Sequence, residues 1–221
     1  MSSPAAPLEG WCSPELEREL PGLRLLEAEV AVGRPEPLTG GSPADIQARM
    51  RELSSRVRGA RAVAIRREPV PAAYRAFYRQ VGIDPDVQRT PIEEAVLERM
   101  LRGGFLSGGL LADVLLLALL DTCVPVWALD AERVEGPLGL RAARAGERLG
   151  REGEPPPLAE GRLVVADADG PLAELFGEPA PGHRPRSRTS RLRLFAVRVP
   201  GVPALYAEEA LWTCAASLQQ P

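Results

Sequence analysis

The sequence predicts an α+β fold in a single domain, with helices in its first two thirds and a mixed or antiparallel sheet. Three observations lead there. Apolar residues recur every three to four positions in several stretches between Ser13 and Asp121. After Pro125 the texture changes to short strand-like runs separated by turn residues. No long linker or internal repeat divides the 221 residues, a length that suits one continuous core.

Residues 1–12 read as a flexible tail and 13–221 as the domain. SPELEREL begins a short helix, with Ser13 as its cap and Pro14 at the first helical position, and Pro21-Gly22 stops it. Residues 23–32 alternate apolar and polar in their second half, as a strand does. Ser42-Pro43 opens a second helix whose Ile46, Met50, Leu53 and Val57 form one stripe. Residues 61–66 read as a strand, since Val63 and Ile65 alternate with smaller residues. PAAYRAFYRQVGID is a helix with Tyr74, Phe77, Tyr78 and Val81 on one side, ended by Gly82. RTPIEEAVLERMLRGG carries complete signals: Thr90 caps, Pro91 follows, Glu93 closes a capping box and Gly103-Gly104 terminates. GLLADVLLLALLD is apolar nearly all round, so it belongs in the middle of the domain.

VPVWALD then reads as a strand, EGPLGLRAAR as a turn and strand, and GRLVVADADG as a strand closed by Asp169-Gly170. RLRLFAVRV sets Arg191, Arg193 and Arg198 against apolar residues, as a strand with one wet face would. Residues 206–218 form a closing helix with Leu211 and Cys214 inward. Residues 152–157 and 179–185 are proline-rich loops within the fold.

Composition narrows the chemistry. All 27 basic residues are arginine, and asparagine is absent as well, which suits a GC-rich genome. Without lysine there is no P-loop lysine, no Schiff-base amine and no kinase-type ATP lysine. Thirty acids leave a net charge of −3, so no general nucleic-acid coat is implied. His183 is the sole histidine, and Cys12, Cys123 and Cys214 lie far apart, so no metal site of the Cys/His kind is expected. These cysteines read as reduced and packed, and the N-terminus lacks a signal-peptide pattern. The longest apolar run, residues 106–120, contains Asp113 and is too short to span a bilayer. The expectation is a cytoplasmic protein with no membrane contact and no cofactor.

No nucleophile elbow, dinucleotide fingerprint or paired-carboxylate spacing identifies an enzyme. Two acid-free arginine stretches are more informative. One holds Arg56, Arg58, Arg61, Arg66 and Arg67; the other holds Arg184, Arg186, Arg188, Arg191, Arg193 and Arg198. Guanidinium groups grip phosphate oxygens in pairs of hydrogen bonds, so Arg184, Arg186, Arg188, Arg191 and Arg193 are candidate RNA phosphate contacts. A solvated strand face and loop is the competing reading.

YRAFYRQVGIDPDVQRTPIEEAVLERMLRGG resembles the opening of the B-three/B-four domain of the bacterial phenylalanyl-tRNA synthetase beta subunit and its stand-alone relatives. Asp113 stands where relatives carry an aspartate beside valine. VPVWALDAERVEGPLGLRAARAGERL is similar to a family block through Pro125, Asp130, Gly136, Leu140, Arg141, Ala143, Gly146 and Glu147. LVVADADGPLAELFG resembles the following strand and turn through Asp167 and Gly170. The resemblance is clearest over residues 70–195. It implies an α+β fold around a pocket, tRNA or aminoacyl-tRNA as partner, and hydrolysis of mischarged aminoacyl-tRNA without aminoacylation of its own. Glu147 is the candidate catalytic residue, orienting water or an α-amino group. Arg141, Asp167, Asp113 and Glu94 are candidate substrate contacts. Leu116 and Leu119 replace an asparagine and a serine of relatives, Ile92 replaces a serine, and FGEPAPGHRPRS replaces a glycine-rich turn. Two other readings stand beside this one: a non-catalytic module binding an amino acid or other small molecule, and a protein–protein adaptor using the arginine face.

Overall fold

The structure, a computed structural model, describes residues 6–57 and 64–220. The α+β expectation holds, but the strands divide between two four-stranded sheets rather than one. In the first, β1 (Leu8–Glu9), β3 (Arg24–Ala31), β8 (Arg191–Arg198) and β4 (Val126–Asp130) lie side by side in that order, all antiparallel. In the second, β2 (Trp11–Cys12) runs parallel to β5 (Gly139–Ala142), followed by antiparallel β6 (Leu163–Ala166) and β7 (Pro171–Glu174). The Asp169-Gly170 turn leads straight into β7, a strand whose four residues have too little periodicity to announce it.

Within residues 8–12, expected in a loose tail, Leu8–Glu9 join the first sheet and Trp11–Cys12 the second. Gly10 separates β1 from β2 and donates its N–H to the Leu25 carbonyl at 2.9 Å. Trp11 and Ser13 donate to the Leu138 and Leu140 carbonyls at 3.1 and 2.9 Å. Glycine is required on the other side of this contact, because a Cβ on Gly139 would lie 2.0 Å from the Trp11 ring.

The helices among the described residues follow from their end signals. In α1 (Pro14–Glu19) Ser13 Oγ accepts from the Leu16 N–H at 3.3 Å. α2 (Ala44–Arg56) buries Ile46, Met50 and Leu53 as the stripe predicts. α3 (Pro69–Gln80) buries Tyr74, Phe77 and Tyr78, and the Tyr74 hydroxyl donates to the Val197 carbonyl at 2.7 Å. α4 (Pro91–Arg102) has the full capping box between Thr90 and Glu93, and Gly103 ends it at φ 77°. α5 (Leu110–Thr122) is the central apolar helix, packed on α6 (Ala204–Gln219), which also covers β3 and β8. The strand expected over 61–66 is not formed where it can be followed: Ile65–Arg67 is a 3-10 turn, and residues 61–63 lie outside the described residues. Pro69 two residues on starts α3 and leaves no room for a strand to continue.

Candidate functional site

The apolar face of α5 not used against α6 meets β4 and the 176–185 loop around a cavity of about 490 Å³. Leu111, Leu115, Leu116 and Leu119 form its helical wall, and Val126, Trp127 and Ala128 of β4 form the opposite one. Phe176 closes an end of it. This residue has φ 61°, a conformation rare for an aromatic residue, and it is held by ring contacts. Its ring stacks on Tyr78 at 4.9 Å and meets Tyr74, Phe77 and Trp127 at 5.9, 6.0 and 6.2 Å. Trp127 is braced in turn by Phe195, stacked at 5.6 Å. Thr39, Glu178 and Arg184, all exposed, bring polar side chains to the rim.

The replacements Leu116 and Leu119 therefore line an open cavity and make its wall aliphatic, while Ile92 is buried in a small cluster with Val57, Ile65 and Val96. Arg184 is fixed by a hydrogen bond from Nε to the Pro179 carbonyl at 2.6 Å, which leaves its two terminal nitrogens free to contact a ligand. Arg186 and Arg188 follow on the same exposed loop, and neither they nor Arg184 has an acid within salt-bridge distance among the described residues. Arg191 and Arg193 differ. Glu29 accepts from Arg191 Nε at 3.0 Å, and Glu27 and Glu29 accept from Arg193 at 2.7 and 3.1 Å. The stretch is acid-free only along the chain, because β3 supplies its counter-charges across the sheet. Arg58 and Arg61 of the first stretch lie outside the described residues.

The remaining candidate residues do not line this cavity. Arg141 and Glu147 bind each other through two parallel hydrogen bonds of 2.6 and 2.8 Å, and Glu147 also accepts the Arg144 N–H at 2.7 Å. The Arg141 guanidinium holds the Glu147 carboxyl below its usual range against the opposing effect of burial. The pair clamps the turn after β5 to the strand. Asp167 is buried and accepts from the Glu135, Asp169 and Gly170 amides and from Arg151. Asp113, also buried, accepts from Ser42 Oγ and Ser107 Oγ, both at 2.6 Å, and from the Gly108 N–H at 2.8 Å. Glu94 is exposed on α4, 3.9 Å from Arg89, whereas its neighbour Glu93 is tied to Arg75 at 2.6 Å. Asp113 alone among these residues reaches the cavity indirectly, since it holds Gly108, which lines the wall.

His183 sits in the loop that frames the cavity, 2% exposed, and its Nδ1 has no hydrogen-bond partner among the described residues. Burial pushes its pKa below the ordinary 6.5; Arg151 and Arg133 add to this, and Asp167 and Glu152 oppose it. A folded-state value below the unfolded one means that protonation favours unfolding. Stability is thus full above about pH 6.5 and falls as pH drops toward the folded value. The thermal midpoint is expected to fall more between pH 7.5 and 5.5 in the wild type than in His183→Gln. Parallel falls would exclude His183 as the source. Among the described residues, no group of three or more His, Cys, Asp or Glu could hold a metal ion, and no helix is long and apolar enough to cross a membrane.

Sequence reasoning missed Trp127, Phe176 and Glu178 as lining residues. Trp127 offered only its place in a strand, and Phe176 only its position before Gly177 in a turn.

Comparison with known proteins covers this same region. Residues 73–178, which include α5, β4, Phe176 and Glu178, match the family model of the B3/4 domain. The phenylalanine–tRNA ligase beta subunit of Xanthomonas campestris pv. campestris (strain 8004) is 38% identical over 93 residues, 42% of this chain and 11% of that protein. The corresponding subunit of Xylella fastidiosa (strain Temecula1) is also 38% identical over 93 residues, with the same shares. That of Xanthomonas axonopodis pv. citri (strain 306) is 38% identical over 86 residues, 39% of this chain and 10% of that protein. The chain thus matches about a tenth of the length of these relatives. It carries a B3/B4-like domain related to that of the phenylalanine–tRNA ligase beta subunit.

Proposed function

We propose that the protein binds aminoacyl-tRNA, with the aminoacyl side chain in the cavity and the phosphates of the tRNA end along Arg184, Arg186 and Arg188. The observation that carries this reading is the junction of an apolar cavity with three arginines that have no acid within salt-bridge distance among the described residues, one of them on its rim. An apolar pocket with a few polar groups at its mouth suits a small side chain, and unpaired guanidinium groups suit phosphate. Relatedness to a tRNA ligase subunit supports the same partner.

Hydrolysis of the bound ester is the further part of the proposal, with Glu147 as the candidate group. A role in hydrolysis requires its carboxylate to exchange Arg141 for water, because both its oxygens are occupied, and requires the ester to reach beyond the cavity, which Glu147 does not line. Deacylation of a panel of mischarged tRNAs tests this part. Equal rates for wild type, Glu147→Ala and buffer would remove hydrolysis and leave binding.

Binding itself is tested by titrating aminoacylated and uncharged tRNA at several salt concentrations. Three phosphate contacts predict a slope of about −2 to −3 for log affinity against log salt. Replacing Arg184, Arg186 and Arg188 together by serine is expected to bring that slope near zero. The aminoacylated form is expected to bind more tightly than the uncharged one. No tRNA binding, or an unchanged slope in the triple variant, overturns the reading.

A second reading is a non-catalytic amino-acid binding module. It is favoured by the wall of the cavity, where Leu115, Leu116 and Leu119 bring no side-chain group able to hydrogen-bond or to transfer a proton. It predicts thermal stabilisation by free amino acids with little dependence on salt.

A further inference from the structure

Resting on the reading above that the cavity receives an aminoacyl side chain, we infer that it selects apolar side chains, aliphatic or unsubstituted aromatic, and discriminates against those ending in a hydroxyl. The polar side chains are arranged unevenly around the cavity. Thr39, Glu178 and Arg184 are exposed and lie at the rim, where the backbone end of a ligand would sit. Glu178 is placed there to meet an α-ammonium group, and Arg184 a carboxyl or phosphate oxygen.

The wall is different. Leu115, Leu116 and Leu119 have no polar side-chain atom, and Trp127 contributes a single N–H donor and no acceptor. A ligand hydroxyl brought against this wall loses water and finds no side-chain acceptor for its proton. An apolar side chain of the same shape loses nothing. Phe176 and Trp127 are fixed by ring packing on Tyr78 and Phe195, so the wall cannot readily turn a polar group inward to compensate. The discrimination is bounded, because an apolar pocket rejects an added hydroxyl by at most about a hundredfold.

The test compares the methyl esters of phenylalanine, leucine and tyrosine by calorimetric titration of the full chain, without tRNA. Phenylalanine and tyrosine differ only in the hydroxyl. The expected result is binding of the phenylalanine and leucine esters and at least about tenfold weaker binding of the tyrosine ester. Leu116→Asn, at a half-buried position, is expected to bring the phenylalanine-to-tyrosine ratio close to one by supplying a donor and an acceptor. Leu119→Ser serves as a second variant, and circular dichroism establishes that each is folded. Equal wild-type affinities for the two aromatic esters, or no ester binding at millimolar concentration, overturns the inference. If tRNA binding still shows its salt slope and its preference for the aminoacylated form, the proposed function survives that failure. Ester selectivity without tRNA binding has the opposite meaning: the pocket inference stands and the tRNA reading falls.

Discussion

Replacing Asp167 by alanine is expected to cost about 3–5 kcal/mol of folding stability. Its side chain has no exposed surface, and each oxygen has assigned partners. One accepts the Asp169 and Gly170 amides at 2.9 and 3.1 Å; the other accepts the Glu135 amide at 2.8 Å and pairs with Arg151. Alanine strands three backbone N–H groups and a guanidinium. Arg151 is one-third exposed and can turn to water, so the amides account for most of the cost. Burial alone would raise the carboxyl's pKa, but the Glu135 amide, Arg151 and the Asp169 amide outweigh it and hold it below 3.8. A lowered folded value stabilises the protein above that range, and the contribution is lost as pH falls through it. Urea midpoints at pH 7 for wild type, Asp167→Asn and Asp167→Ala are expected in descending order, since asparagine keeps one oxygen acceptor. An unchanged midpoint in the alanine variant would mean that the turn before β7 does not depend on this carboxylate.

Asp113→Ala is expected to be the next most damaging change, at about 2–4 kcal/mol and a thermal midpoint lower by roughly 5–15 °C. The carboxylate joins Ser42 before α2, Ser107 and Gly108 in the preceding loop, and α5 itself. Two of its three donors are hydroxyls that can rotate to other acceptors, so the loss is smaller than at Asp167. Its reach is longer. Gly108 lines the cavity, so Asp113→Ala is expected to weaken ester binding as well as stability. Asp167→Ala, remote from that wall, should leave ester affinity unchanged in the fraction that remains folded. Scanning calorimetry with and without ester separates the two. Unchanged ester affinity in Asp113→Ala would show that the cavity is shaped without this network.

The contrast between these residues shows what the sequence could reveal. α4 was readable in full because Thr90, Pro91, Glu93 and Gly103 act on backbone groups within one turn of themselves. β1 and β2 were not, because two residues have no periodicity and their pairing partners, from Leu25 to Leu140, are distant in the chain. The site was legible only in pieces. The resemblance singled out Leu116 and Leu119, yet the cavity also needs Trp127 from a strand and Phe176 from a loop, brought together by the fold alone. The charge on Arg191 and Arg193 misled for the same reason: Glu29 and Glu27, which pair with them, stand 162 and 166 positions away.

The passage of the chain from β1 to β2 through Gly10 acts as a mechanical stitch. A single residue, Gly10, lies between a strand of one sheet and a strand of the other, and Glu27 of β3 adds a second tie by accepting the Leu138 N–H at 3.1 Å. Sliding the sheets past each other would break these short links together, like pulling a seam along its length. The 176–185 segment that frames the cavity is stitched to the second sheet as well, because Ala180 donates its N–H to the Leu172 carbonyl of β7 at 2.8 Å.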